Sequence, residues 1–290
     1  MDVKAHDAAG QRCAPLRSRW TIVLLPALAG TGLLLGGCGT DTDAPPAEPP
    51  EAIQEAEADF ELIPSPDVAP ERPDARLGLT SPDDGERYQE GETVEVRFNL
   101  SGYTLDEATP GGEERGIARA PGQHIHLILN NNRYQALYDA DEPVVFDDLP
   151  PGTHHFRAFP GTDWHESVKT PGAFAIRTIH VGDGEAAPRV DPDGPLLTYS
   201  RPVGEYAGAD ADSILVDFYL TGARLAEDGY RVRLTVNGMG EAMITEWRPY
   251  LLLGLPPGEH TVRLELLDPQ GQVVPGEFNQ AERTITVTEG

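Results

Sequence analysis

The chain has very little cysteine and very little lysine. Its 290 residues include two cysteines, Cys13 and Cys38, and two lysines, Lys4 and Lys169. Because both cysteines stand near the N-terminus, no disulfide can link parts of the remaining chain, and a catalytic thiol is excluded there as well. The folded part must therefore be held together by packed apolar cores.

Basic charge is also scarce. The 22 lysine and arginine residues face 48 acidic residues, which gives a formal net charge of −26. Such a surface repels nucleic acid and anionic lipid headgroups, so neither is expected as a partner. An acid excess with few lysines is also typical of a GC-rich or salt-adapted organism, so it does not by itself require an acidic binding surface.

Familiar catalytic motifs are missing from the sequence. It contains no nucleophile elbow, no phosphate-binding loop and no H-E-x-x-H pair. We therefore expect a protein that is not an enzyme, and the sequence requires no particular cofactor.

A pattern typical of an export signal occupies the N-terminus. Four basic residues precede an apolar stretch at 20–35, which is short for a membrane span and ends in Leu35-Gly36-Gly37-Cys38. This ending resembles the lipobox of bacterial lipoproteins, in which the cysteine is acylated, with palmitate for example, and becomes the mature N-terminus. The resemblance implies a signal peptide at 1–37, a lipid on Cys38 and an exported protein anchored to a membrane. Gly39 in place of aspartate favours the outer membrane, and an uncleaved N-terminal anchor is the alternative.

Residues 38–76 have the composition of a disordered tether. They are rich in proline and acidic residues and poor in bulky apolar ones. Such a segment buries too little apolar surface to offset its ordering entropy, and charge repulsion extends it. We expect it to hold the following domains away from the membrane.

Four segments recur in the same order in the two halves of the remaining chain, which indicates an internal repeat. Each half contains short alternating strands separated by turns of glycine, proline and aspartate. This texture predicts an all-β fold of two tandem immunoglobulin-like sandwiches at 77–182 and 195–288, joined by a connector at 183–194. The matched segments begin at Thr93 and Ser213, at Gln123 and Tyr230, at Leu149 and Leu255, and at Arg177 and Arg283.

The first repeat carries an insertion between its second and third predicted strands. The spacing of the matches falls from 120 residues for the first pair to 107 for the second, so thirteen extra residues lie at about 107–122. In an immunoglobulin-like sandwich, strands C, F and G share a sheet with F in the middle. By that order we assign B to 93–100, C to 124–129, E to 144–146, F to 154–159 and G to 177–181.

Six of the eight histidines lie in the first repeat. His154 aligns with His260 of the second repeat, stands beside a Leu-Pro-Pro-Gly turn and faces the core by strand parity, so we interpret both as structural. Four others are replaced in the second repeat by arginine or threonine, which suit a solvated surface. We therefore expect these four on the outer, solvent-facing side of the C–F–G sheet: His124, His126, His155 and His180.

The start of strand C is the best candidate for a metal site. His124 and His126 leave the same face of the strand about 6–7 Å apart, which suits two ligands of one ion. Antiparallel pairing brings the F–G loop to this end of the sheet. We predict a site for Zn²⁺ or Cu²⁺ formed by His124, His126 and His165, with Glu166 or Asp163 as a fourth ligand.

The same pairing separates a second candidate cluster, His155 and His180, at the opposite end of the sheet. Ordinary surface polarity, with hydrogen bonds to acidic neighbours, is the alternative reading for both clusters. The sequence alone leaves these readings open.

The His-x-His strand and the Leu-Pro-Pro-Gly-x-His turn are similar to small exported bacterial domains of uncharacterised function. The resemblance implies a periplasmic or surface sandwich and no particular activity. We predict a lipid-anchored cell-envelope protein with a non-enzymatic binding or structural role, whose partner would be an envelope protein or a glycan. Metal binding is one alternative. A carbohydrate-binding module, suggested by Trp164 and Phe159 beside the F–G loop, is another.

Overall fold

The computed structural model describes residues 59–66, 69–112, 120–131, 133–187, 190–237 and 239–289. Nearly all regular structure within these ranges is β-strand, with one helix of four residues. In this part of the chain no helix is long and apolar enough to cross a membrane. The predicted signal peptide, Cys38 and the first part of the predicted tether lie outside the described residues.

The described residues form seventeen strands. Before and within the first repeat these are β1 Glu61–Pro64, β2 Arg76–Ser81, β3 Arg87–Tyr88, β4 Val94–Ser101, β5 His124–Leu129, β6 Arg133–Leu137, β7 Val144–Phe146, β8 Gly152–Gly161 and β9 Ala175–Val181. In the second repeat they are β10 Leu196–Arg201, β11 Gly204–Ala207, β12 Ile214–Thr221, β13 Arg231–Val236, β14 Gly240–Ile244, β15 Tyr250–Leu253, β16 Gly258–Leu267 and β17 Gln280–Thr288, with helix α1 at Ala209–Asp212.

Each repeat is an immunoglobulin-like sandwich of two sheets. The first repeat pairs a sheet of order β2-β4-β7 with one of order β3-β9-β8-β5-β6. The second repeat has the equivalent strands in the equivalent order, β15-β12-β10 and β11-β17-β16-β13-β14. In both repeats a short strand runs parallel to the last one, β3 beside β9 and β11 beside β17. The predicted fold class is therefore confirmed.

The predicted C–F–G sheet is present, with β8 between β5 and β9. His124 pairs with Gly161, whereas Leu129 at the other end of β5 pairs with Phe156. The start of β5 therefore lies beside the loop that joins β8 to β9, as the sequence predicts.

Alternation along the strands builds one apolar core per repeat. Ile125, Leu127 and Leu129 of β5 are buried with strands β2, β4, β8 and β9 of their own repeat. The equivalent core of the second repeat contains the apolar residues of β13 on the matching face. Burial of these side chains supplies about 1.5–3 kcal/mol each and replaces the missing disulfide.

A glycine follows the second long strand of both repeats for a steric reason. Gly102 and Gly222 have positive φ values of 68° and 61°. A Cβ atom would lie 2.2 Å from the carbonyl oxygen of Asp74 at Gly102, and 2.1 Å from that of Gly194 at Gly222. In each repeat the backbone just before the first strand of the sandwich passes against this glycine and leaves no space for a Cβ atom, so only glycine fits.

The end of the predicted tether is folded, which corrects the boundary at residue 76. Strand β1 pairs antiparallel with β15 and so becomes the fourth strand of a second-repeat sheet, although it precedes the first repeat in the chain. Phe60 packs into the core of that second repeat. The edge of β15 offers unpaired backbone groups, and β1 satisfies them. The prediction of disorder through 76 is therefore wrong for the described residues from 59 onward.

The outer side of the C–F–G sheet is not solvated, which corrects a second expectation. His124, His126, His155 and His180 are 0%, 0%, 2% and 3% exposed. Side chains of the second repeat cover much of this face. Ser200 of β10 lies 3.3 Å from His126 Nδ1, Phe278 packs against His155 with ring centroids 5.1 Å apart, and Tyr219 of β12 stacks on Phe159 of β8 with ring centroids 5.4 Å apart. The equivalent outward positions of β13, Arg231 and Arg233, remain partly exposed, since no third domain of the described chain covers them.

Candidate metal centre

Two histidine rings lie side by side on β5. The ring centroids of His124 and His126 are 4.7 Å apart and the ring planes differ by 6°. The Nδ1 atom of His124 is 2.9 Å from the carbonyl oxygen of Gly122. Because a carbonyl oxygen can only accept, His124 carries its proton on Nδ1, and its Nε2 presents a lone pair.

The turn between β8 and β9 supplies the third histidine. The backbone N–H of His165 donates to the carbonyl of Thr162, and the N–H of Thr162 donates to the carbonyl of Glu166. His165 has a φ of 70°. In a tight turn of this kind the left-handed position is usually glycine, and a residue with a Cβ pays for it in strain of about 1–2 kcal/mol.

The three imidazoles converge closely enough to share one ion. One ring nitrogen from each of His124, His126 and His165 lies within 4.8 Å of the other two, and this is the one such group of potential ligands in the described part of the chain. The His165 Nδ1 atom is 3.1 Å from the His124 Nε2 atom. Two nitrogens bound to a tetrahedral Zn²⁺ at about 2.0–2.1 Å are roughly 3.3 Å apart. The spacing of His124 and His165 therefore matches that of two metal ligands, and the parallel rings of His124 and His126 must turn toward each other for their lone pairs to meet at one ion.

His126 has a ring nitrogen without a partner. Its Nδ1 is 3.3 Å from the hydroxyl oxygen of Ser200, but its Nε2 is buried and has no hydrogen-bond partner among the described residues. Leaving a buried polar atom unpaired costs about 1–3 kcal/mol. Gly161 makes room for this ring, because a Cβ atom there would lie 2.3 Å from Nε2.

All three imidazoles are neutral at physiological pH. Burial lowers the pKa of His124 to about 4, with a further contribution from Arg201 that the bond to Gly122 opposes. Burial likewise lowers the pKa of His165 to about 3, helped by Arg201 and His124. The pKa of His126 is well below its ordinary value because of burial and the neighbouring His124 and Arg201. Neutral imidazole is the form that binds metals.

Tyr134, Ser200 and Arg201 complete the surroundings, and sequence reasoning missed all three. The Tyr134 hydroxyl is 3.3 Å from His124 Nε2, and the Arg201 guanidinium lies 4.4 Å above the centre of the Tyr134 ring. Tyr134 faces the histidines from β6, a hairpin partner of β5 that strand parity could have identified. Ser200 and Arg201 come from the other repeat, so no local pattern pointed to them.

Glu166 does not join the histidines, which corrects the predicted ligand set. Its Oε2 atom accepts bonds from the backbone N–H of Ala69, at 2.7 Å, and from Trp164 Nε1, at 3.0 Å. Burial raises the pKa of Glu166 to about 7, and Lys169 partly opposes this. The carboxyl thus fixes the turn to the N-terminal segment. Asp163 is not in the ligand group either, because its Oδ2 accepts from the N–H of Thr109.

The insertion of the first repeat supports the turn that carries His165. The N–H of Thr109 donates to Asp163 Oδ2, as described above, and the N–H of Ala120 donates to the Asp163 carbonyl. Gly112 lies against the indole of Trp164, where a Cβ atom would be 2.9 Å from Cζ3. The insertion therefore does meet the F–G loop at this end of the sheet and braces it.

The second predicted cluster has separate partners. His155 Nδ1 lies 3.0 Å from the Thr178 hydroxyl, and its Nε2 lies 3.3 Å from a carboxylate oxygen of Glu277 in the second repeat. His180 Nδ1 lies 3.3 Å from the Thr153 hydroxyl. Within the described residues no third ligand joins them.

The two histidines interpreted as structural make the same bond. The Nε2–H of His154 donates to the carbonyl of Pro150, and that of His260 donates to the carbonyl of Pro256, both at 2.7 Å. Each ring thereby closes its own Leu-Pro-Pro-Gly turn.

The aromatic pair that suggested a carbohydrate module is buried. Trp164 is 7% exposed and Phe159 is fully buried. Phe159 packs in the contact between the repeats with Ile128 and Tyr219. Phe159 is therefore unavailable to stack on a sugar, whereas Trp164 reaches the wall of a cavity that opens beside His165.

No family model matches the chain, and no curated protein matches it. Among solved structures it is similar to the fibronectin(III)-like modules of Clostridium thermocellum CbhA, at 12% identity and a TM-score of 0.26, over 73% of this chain and 94% of that one. It is also similar to a Parabacteroides merdae beta-glucuronidase, at 9% identity and a TM-score of 0.22, over 74% of this chain and 24% of that one.

A third similar structure is the Bacteroides ovatus protein SGBP-B from a mixed-linkage glucan utilization locus, in complex with a mixed-linkage heptasaccharide. The identity is 12% and the TM-score 0.21, over 73% of this chain and 47% of that one. With scores this low, nothing about ligand or activity passes from these proteins to this chain.

Proposed function

We propose that this protein is a metal-binding protein of the cell envelope, which holds one Zn²⁺ or Cu²⁺ ion on His124, His126 and His165. One observation carries the proposal: three neutral imidazoles, two of them buried and one half-buried, converge within 4.8 Å, and one of them has an unpartnered nitrogen. A lone pair directed at a metal ion gives that nitrogen the interaction it otherwise lacks.

The imidazole donors favour a metal ion that binds nitrogen ligands and is of intermediate hardness. Imidazole suits Zn²⁺ and Cu²⁺, whereas Ca²⁺ and Mg²⁺ require oxygen ligands. The bond from His124 Nδ1 to the Gly122 carbonyl is the outer contact that a ligating histidine commonly makes, because it fixes the tautomer and the ring orientation. Three protein ligands leave at least one coordination position for a further group.

Metal analysis of the purified full chain tests this proposal. The chain must include β1, since residues 59–66 belong to the fold. We expect one Zn²⁺ or Cu²⁺ per chain after dialysis, and loss of that metal in the variant His124→Ala/His126→Ala.

The matched control is Arg231→Ala/Arg233→Ala, which changes the equivalent positions of the second repeat and should leave the metal content unchanged. Absence of stoichiometric metal from the wild-type chain, or equal metal in the histidine variant, would contradict the proposal.

We further propose that Cys38 is acylated and anchors the protein to the outer membrane, with the metal centre on the exported side. The basic, apolar and lipobox segments of the N-terminus support this. Cys38→Ser should release the protein from the membrane fraction of cells, and continued attachment would count against the anchor.

A further inference from the structure

The proposed centre has an unbalanced charge. Its three ligands are neutral imidazoles and the group contains no carboxylate. Arg201, which is 5% exposed, adds a permanent positive charge near the histidines. Its guanidinium lies over the ring of Tyr134, whose hydroxyl contacts His124. A divalent ion here would place three positive charges between the repeats, and the nearby buried carboxylate of Asp163 offsets only part of them. Charges of like sign at such distances repel by several kcal/mol, so an anion is needed.

A cavity reaches the cluster from outside. It has a volume of about 430 Å³, and both His165 and Arg201 line it. His124 and His126 are fully buried, so a ligand in the cavity meets the centre on the side of His165 and Arg201. The remaining walls mix apolar side chains, Val203, Tyr206, Leu215 and Leu251 among them, with polar ones.

The rim of the cavity restricts the charge of the anion. Glu205 and Asp210 line it and are exposed to solvent. Their negative charges oppose the entry of any anion, and the opposition grows with the charge of the anion, so a single negative charge is disfavoured least. Arg201 presents a planar fork of donors that matches a carboxylate. A carboxylate group on a small organic acid therefore fits the charge, the donors and the size of the space.

We propose that the centre binds its metal together with a small monocarboxylate, which enters through this cavity, takes the open coordination position and pairs with Arg201. This inference rests on the proposed metal site. The carboxylate replaces a metal-bound water molecule, and its negative charge offsets the repulsion between the ion and the guanidinium. Metal affinity should therefore depend on the carboxylate, and carboxylate affinity should depend on the metal to the same degree.

Titration of the metal-free full chain with Co²⁺, with and without acetate, tests this. Co²⁺ reports on its coordination through visible absorption bands. We expect acetate to raise the Co²⁺ affinity roughly tenfold or more and to change the spectrum. Chloride at equal ionic strength serves as the reference salt, because acetate must act as a ligand rather than as screening.

Arg201→Gln isolates the role of the guanidinium. Without acetate it should bind Co²⁺ more tightly than the wild type, because the repulsion is gone, and the effect of acetate should be small. Arg233→Gln removes an arginine of β13, on the other sheet of the same repeat and outside the cavity lining, and should behave as the wild type. Thermal unfolding of both variants verifies the fold.

The outcomes separate the two proposals. Co²⁺ binding with no effect of acetate on affinity or spectrum would overturn the carboxylate inference and leave the metal site standing. No Co²⁺, Zn²⁺ or Cu²⁺ binding under any condition would overturn the metal site itself. The acetate effect in the wild type decides the matter even if Arg201→Gln fails to fold.

Discussion

At the scale of single residues, His165 is the most informative position of the centre. It holds a left-handed backbone conformation that glycine usually occupies, in a turn braced by Asp163, Glu166 and the insertion. The position combines backbone strain with a ring that meets two other rings. Strain of this kind concentrates at functional sites.

The variant His165→Gly removes the imidazole ring and also relieves the backbone strain, so it distinguishes the effect of the ring on metal binding from the effect of the strain on stability. We expect this variant to lose the bound metal while the free energy of unfolding of the metal-free protein stays within about 1 kcal/mol of the wild type, since glycine relieves the backbone. His165→Ala should lose the metal equally but be less stable than the glycine variant, because its Cβ keeps the strain. Metal analysis and urea unfolding measure both effects. Equal stability of the two variants would contradict the argument.

The lowered histidine pKa values predict how the metal-free protein responds to acid. Unfolded histidines bind protons near their ordinary pKa of 6.5, whereas His124 and His165 in the folded state do so only near 4 and 3. Stability is therefore complete above pH 6.5 and falls as the pH drops from 6.5 toward 4, by at most about 1.4 kcal/mol per pKa unit for each group.

Urea unfolding of metal-free protein at a series of pH values measures this loss. His124→Gln should flatten the dependence between pH 6.5 and 4, because one of the responsible groups is gone. Identical slopes in the wild type and this variant would contradict the description of the cluster.

At the scale of elements, strand assignments were the most predictable feature. The alternation of Val94, Val96 and Phe98, or of Ile125, Leu127 and Leu129, follows directly from a strand with one face on an apolar core, and both strands are where the pattern placed them. Strand β1 was not predictable in this way. It has four residues, with prolines nearby, and its pairing partner lies about 190 residues away in the chain.

The anchoring of β1 can be tested at Phe60. Phe60→Ala should lower the free energy of unfolding by about 2–4 kcal/mol, because the ring packs into the core of the second repeat. Glu61→Ala, at the exposed neighbouring position, should change it by less than about 0.5 kcal/mol. Chemical unfolding monitors both. A negligible effect of Phe60→Ala would mean that the segment is not held as described.

At the scale of the whole molecule, the two repeats share a polar and aromatic contact. Asp217 of β12 accepts from Lys169 Nζ at 2.5 Å and from the backbone and hydroxyl of Ser167 at 3.1 Å. Arg157, also buried, reaches the Thr198 hydroxyl of β10 at 3.2 Å and stacks on Phe278. This contact covers the histidine sheet and makes the candidate centre a feature of both repeats together.

Asp217→Asn should lower the free energy of unfolding by about 3–5 kcal/mol, because it leaves the ammonium group of Lys169 without its charge partner in a buried contact. Adding Lys169→Met should recover part of that loss, since the double variant contains no unpaired charge. Denaturant unfolding of both variants measures the difference. A double variant less stable than Asp217→Asn alone would contradict this account of the contact.

The sequence by itself determined the repeat, the strands and the sheet that carries His124 and His126, because each depends on alternation within a few residues. It also brought His165 to the right end of the sheet through antiparallel pairing. It misplaced Glu166, whose direction depends on Ala69, nearly a hundred residues earlier.

Only the tertiary structure decided the environment of the three histidines. Comparison between repeats suggested a solvated face, because Arg231 and Arg233 occupy the equivalent positions. One feature of β12 argues against a solvated face. Its outward residue Tyr219 is a large aromatic, whereas the outward residues of the equivalent strand β4 are polar: Glu95, Arg97 and Asn99. Which surface Tyr219 covers is a question of long-range packing, and no local pattern contains the answer.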